Sequence, residues 1–175
     1  MAAPRQVRGF AIVSFLLLAG SALANVPPQS PVITEPTGDN MVLSAGDVHM
    51  TTDPFVDSDP GDTHVCSDWE IWTLTGGGAL QERVWAALCV TDVKRVHVQL
   101  GDGTFQGSYS GKQTLNGSTA YRLRVRFRDS SGDAATEWSP FAERPFTTAA
   151  LSVVLPMELT DIAAPPTPTL TESLA

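Results

Sequence analysis

From Tyr121 to Arg128 the chain alternates apolar and cationic residues. Tyr121, Leu123, Val125 and Phe127 fall on one side of an extended strand, and Arg122, Arg124, Arg126 and Arg128 on the other. This period of two predicts an antiparallel strand with one buried face. A hairpin is predicted where Cys66–Thr73 and Arg83–Val90 flank the turn residues Thr75, Gly76, Gly77 and Gly78. A register centred between Gly77 and Gly78 sets Ser67 against Leu88, Trp69 against Ala86 and Ile71 against Val84 on a mostly apolar face. The other face then pairs Glu70 with Trp85, Trp72 with Arg83 and Cys66 with Cys89. A slip of one residue would mix the faces. Shorter strands are expected at Val32–Ile33, Met41–Leu43, Val93–Leu100 and Pro145–Thr148, with a turn at Pro36–Gly38. No segment carries a helical period, so the expected class is all-β.

Charge and terminal composition set the context. Arg5 and Arg8, the apolar run Phe10–Ala19 and the small residues Ala22-Leu23-Ala24 read as a secretory signal over residues 1–24, against the alternative of a buried N-terminal helix. The run is shorter than the roughly 20 residues of a membrane span, so an exported chain, extracellular or periplasmic, with no membrane span is expected. Residues 25–31 form a proline-rich leader, residues 32–148 one domain, and residues 149–175 a linker or Pro/Thr-rich tail. Without the signal, nine Lys and Arg face nineteen Asp and Glu, a net charge of −10, which disfavours nucleic acid. A protein or carbohydrate partner and a monomeric state are the expectations. Opposed strand residues lie roughly 4.5–5.5 Å apart, within disulfide reach, so Cys66 and Cys89 are expected to be bonded, the alternative being two free thiols.

The densest polar constellation runs from Asp53 to His64. Asp57, Asp59 and Asp62 in a glycine-containing loop suit the hard oxygen ligation of calcium, and a solvated loop with Asx-turns is the bland alternative. Trp72 and Trp85, on the non-core face of the hairpin register, could stack on sugar rings, the bland alternatives being that they shield the disulfide or pack under the neighbouring sheet. Gly101 to Gly107 is a turn cluster without dinucleotide spacing, and His49, His64 and His97 show no ligand spacing. Nucleophile-elbow, zinc-protease and Cys-x-x-Cys motifs are missing, so no enzyme is expected. Asn116-Gly117-Ser118 has the form of a glycosylation sequon.

Leu115, a turn and Tyr121 together resemble the entry to the sixth strand of fibronectin type III domains. The resemblance implies an immunoglobulin-like β-sandwich in which the tyrosine hydroxyl returns to the upstream backbone. Trp69, Leu115, Tyr121, Leu123 and Val125 are then the expected core. Glu137-Trp138-Ser139 after the arginine strand resembles half of the Trp-Ser-x-Trp-Ser ladder of cytokine receptors, with Phe141 near the place of the second indole. It implies cation–π stacking among Arg124, Arg126 and Trp138, either as a staple between strands or as a partner patch. The Asp57–Asp62 loop, Ser67-Asp68-Trp69 and Arg126–Gly132 are similar to modules of bacterial secreted multidomain proteins, some of which also carry sugar dehydrogenase or other carbohydrate-active domains. Two readings follow. One is a non-catalytic extracellular spacer or protein-interaction module; the other is the N-terminal accessory part of a truncated secreted carbohydrate-active enzyme or sugar oxidoreductase. The reading frame beyond Ala175 separates them.

Overall fold

The computed structural model describes residues 24–151, so nearly all of the expected signal and of the expected tail lies outside the described residues. Nine strands run in chain order: β1 (Ile33–Glu35), β2 (Met41–Leu43), β3 (His49–Thr52), β4 (Cys66–Leu74), β5 (Leu80–Val90), β6 (His97–Gln99), β7 (Thr104–Phe105), β8 (Ala120–Arg128) and β9 (Ala142–Thr148). They form a three-stranded sheet, β1-β3-β6, and a six-stranded sheet, β2-β9-β8-β4-β5-β7. The pairings are antiparallel except β2 with β9. Short 3₁₀ turns at Asp92–Arg95, Leu100–Asp102 and Gly107–Tyr109 are the only helical segments among the described residues. The class is all-β, as its residue pattern predicts.

One hydrophobic core joins the sheets. Tyr121, Leu123, Val125 and Phe127 all point into it, as do Trp69 and Ile71 of β4, while Met50 and Val98 enter from the smaller sheet. Burying side chains of this size contributes roughly 1.5–3 kcal/mol each. Leu115 is buried beside them, and the Tyr121 hydroxyl lies 3.0 Å from the Asn116 amide, which donates to it. The same hydroxyl sits 2.8 Å from that of Tyr109, and the Tyr121 ring stacks on Phe146. Burial in this cluster, helped by the bond to Tyr121, raises the Tyr109 pKa well above the usual tyrosine range.

Three local features depart from the sequence expectation. The segment Val93–Leu100 is a strand only over His97–Gln99, because a turn at Asp92–Arg95 precedes it. Strand β3 arises from His49-Met50-Thr51-Thr52, whose weak propensity hides a clean alternation with Met50 and Thr52 buried. The third concerns the hairpin register. Trp72 does face Arg83, but Ile71 faces Trp85, Glu70 faces Ala86 and Trp69 faces Ala87. One extra residue, Val84, is accommodated as a bulge between these pairs, so Val84 and Trp85 are both fully buried. Trp85 is therefore a core residue and not part of a binding surface. Its indole Nε1 donates to the Leu100 carbonyl at 2.9 Å, and Gly103 packs so closely that an added Cβ would lie 2.4 Å from the ring. The gain from burying an indole outweighs the loss of one regular ladder position.

Candidate metal centre

A second bulge separates the pair Ser67–Val90 from Trp69–Ala87 and holds Cys89 in the left-handed region, φ 46°. Cys66 and Cys89 are disulfide-bonded with Cα atoms 4.8 Å apart, as expected, but across this bulge instead of a regular pair. Asp68 secures the bulge. Its Oδ1 accepts the Cys89 amide at 2.8 Å, and its Oδ2 accepts Nε and Nη2 of Arg126 at 2.9 and 2.7 Å.

Arg126 begins a stack along the outward face of β8. Its guanidinium lies 4.1 Å from the Trp138 ring and 4.7 Å from Phe141; Arg124 lies 3.9 Å from Phe141 and 5.9 Å from Trp72. Phe141 thus occupies the rung that a second tryptophan would supply. Every arginine of the row also meets a carboxylate: Arg122 and Arg124 meet Glu143, Arg124 and Arg83 meet Glu70, and Arg128 meets Glu137 at 2.7 Å. Asp68, Glu70 and Glu137 are themselves buried beneath this layer. Trp72 is half-buried, with its indole donating to Glu70 Oε2 at 2.7 Å. The charges are paired within the face, although Nε of Arg122 and of Arg128 is buried without an acceptor, and the layer staples β8 to β4 and β9.

The loop of residues 53–64 behaves otherwise. Asp57, Asp62 and Asp129 each bring a carboxylate oxygen within 4.8 Å of the others. Asp59, one of the three expected ligands, is outside this group; its Oδ2 accepts the Val26 amide at 2.6 Å. Asp129, on the turn after β8, takes its place; only the tertiary fold brings it there. It is 1% exposed, and its Oδ1 accepts from the amide and hydroxyl of Ser131. Asp57 Oδ1 accepts the Asp59 amide at 2.8 Å, while its Oδ2 is buried with no hydrogen-bond partner. A buried, unpartnered carboxylate oxygen beside two further carboxylates is costly unless a cation neutralises it. Calcium holds oxygens at about 2.4 Å, so ligands up to about 4.8 Å apart can share one ion. These residues fit that donor set.

His64 anchors the loop to the core. Its ring stacks on Phe55 and tilts against Phe127, with Nε2 2.8 Å from Ser67 Oγ. Burial, and then the nearby Arg95 guanidinium, lower its pKa to about 4. The other two histidines, unrelated by spacing, meet across β3 and β6. Asn116, the sequon asparagine, is tied down through Nδ2 to the Tyr109 hydroxyl at 2.7 Å.

No family model and no curated protein matches the chain. Among solved structures it is similar to an α-L-rhamnosidase from Dictyoglumus thermophilum, at 14% identity and a TM-score of 0.47, over 73% of this chain and 13% of that one. The chain thus spans a small part of that protein, and the likeness bears on neither family nor activity.

Proposed function

We propose that the chain is a non-catalytic extracellular module with a fibronectin type III-like, immunoglobulin-like β-sandwich, serving as a spacer or protein-interaction unit whose leader end binds calcium. The observation that carries this reading is where the leader is fastened. Asn25 Nδ2 donates to Asp129 Oδ2 at 3.2 Å and to Thr136 Oγ1 at 3.0 Å, the Val26 amide to Asp59, and the Gln29 amide to the Val56 carbonyl at 3.0 Å. The leader, stiffened by Pro27, Pro28 and Pro31, is thereby held beside the acidic loop and touches one of the proposed ligands, Asp129. Calcium at Asp57, Asp62 and Asp129 would relieve their repulsion and fix the path of the leader against the sandwich. The Tyr121 bond to the Asn116 backbone supports the fibronectin type III-like assignment.

Small-angle scattering on two copies of residues 25–151 joined in tandem tests the reading. Calcium is expected to lengthen and sharpen the distance distribution relative to chelator, and Asp57→Asn to abolish the change. Identical profiles in calcium and chelator would reject a calcium-set spacer.

A further inference from the structure

Two histidines that lie 48 positions apart in sequence face each other on the outer side of the smaller sheet. His49 opens β3 and His97 opens β6; His49 is paired with Gln99 and Thr51 with His97, so the imidazoles are diagonal neighbours on one face. Both are solvent-accessible. His49 Nδ1 lies 3.5 Å from His97 Nε2, with the rings tilted by 38°. An N–H donor prefers an acceptor at about 2.9–3.0 Å, so this separation is long for a hydrogen bond. Two imidazole nitrogens bound at about 2.05 Å to a tetrahedral zinc ion lie about 3.3 Å apart.

We propose that His49 and His97 form a site for a transition-metal dication, zinc foremost, ligated through His49 Nδ1 and His97 Nε2 with water in the remaining positions. The carboxylate of Asp47 supplies an independent observation. Its Oδ1 lies 3.1 Å from His49 Nε2. A proton held on Nε2 by that carboxylate leaves the Nδ1 lone pair directed at His97, which is how metal-bound histidines are commonly oriented. Glu35 belongs to the same face, paired through Thr51, whose hydroxyl donates to it at 3.0 Å. An imidazole pair suits zinc, copper or nickel and not calcium, so the site is chemically distinct from the acidic loop.

Isothermal titration of the full chain, without a polyhistidine tag and with calcium in excess, provides the test, using zinc chloride as the probe. One saturable zinc equivalent is expected. It should disappear in His49→Gln and in His97→Gln, weaken about 10- to 100-fold in Asp47→Ala, and persist in Asp57→Asn. Both histidines are at the surface, so melting midpoints without zinc should match the parent chain and establish that the variants fold. As a second measurement, zinc should shift the nitrogen resonances of His49 Nδ1 and His97 Nε2. Absence of saturable binding, binding that survives the double His49→Gln, His97→Gln substitution, or binding without those shifts would each overturn the site.

Discussion

The arginine face of β8 and the acidic loop at the leader end both concentrate charge, yet they resolve it in opposite ways. On β8 each guanidinium has a carboxylate, and Arg124, Arg126 and Arg128 also lie over aromatic rings. In the loop three carboxylates converge and one buried oxygen has no donor. A charge-paired network, in which Nε of Arg122 and of Arg128 still lacks an acceptor, spends most of its interaction energy within the fold. An unsatisfied one has binding energy left for a ligand, which makes the sparser cluster the better functional candidate.

The largest expected effect comes from opening the charge-paired network. Asp68→Ala strands the partly buried Arg126 guanidinium and the Cys89 amide, and should cost about 2–3 kcal/mol in urea unfolding. A cost near zero would mean that the ladder is surface decoration. Calcium should act on the other region with a similar magnitude: at a hundred times its dissociation constant it stabilises by about 2.7 kcal/mol. Melting curves in calcium, magnesium and chelator read this, and magnesium should do less because it dehydrates reluctantly. Coincident midpoints would return the loop to ordinary acidic surface.

Asp57→Asn sharpens the contrast further by reversing the usual sign. In chelator it should stabilise by about 1 kcal/mol, since it removes like-charge repulsion while Asn still accepts the Asp59 amide; in calcium it should destabilise. Truncating one ladder rung, Phe141→Leu, should cost about 0.5–1 kcal/mol for the lost cation–π contact, with no calcium dependence. The subtlest effect is on pH dependence. The folded value of about 4 for His64 lies below its ordinary 6.5, so unfolding takes up a proton between these values. The neutral ring's contribution is fully present above about pH 6.5 and is lost as pH falls towards 4. His64→Phe should flatten that part of the stability profile, and an unaltered slope would show that the ring is not held neutral by the core.

Legibility followed sequence separation. Within β8, alternation alone placed Tyr121, Leu123, Val125 and Phe127 inside, because the side-chain period of a strand leaves no other choice once one face is apolar. The cation–π contact of Arg126 with Trp138 followed from the resemblance, whereas Arg124, expected in the same stack, lies over Phe141 and Trp72 instead. The hairpin register was legible only in part. Counting residues from the glycine turn assumes an unbroken ladder, and the bulges at Val84 and Cys89 break it, which moved Trp85 from the surface to the core.

The sites belong to the tertiary structure. Asp57 and Asp62 announce themselves as a local acidic run, but Asp129 joins them from 67 residues beyond Asp62, and Asp59 accepts from the leader backbone. His49 and His97 share no motif and become neighbours only through the β3–β6 pairing. The sequence by itself determined an all-β chain, its principal strand faces and the identity of its disulfide, because periodicity and turn chemistry act over a few residues. Which carboxylates converge, which indole is buried and which imidazoles meet were decided by strand pairing and bulges, whose energies depend on core packing between segments far apart in the chain.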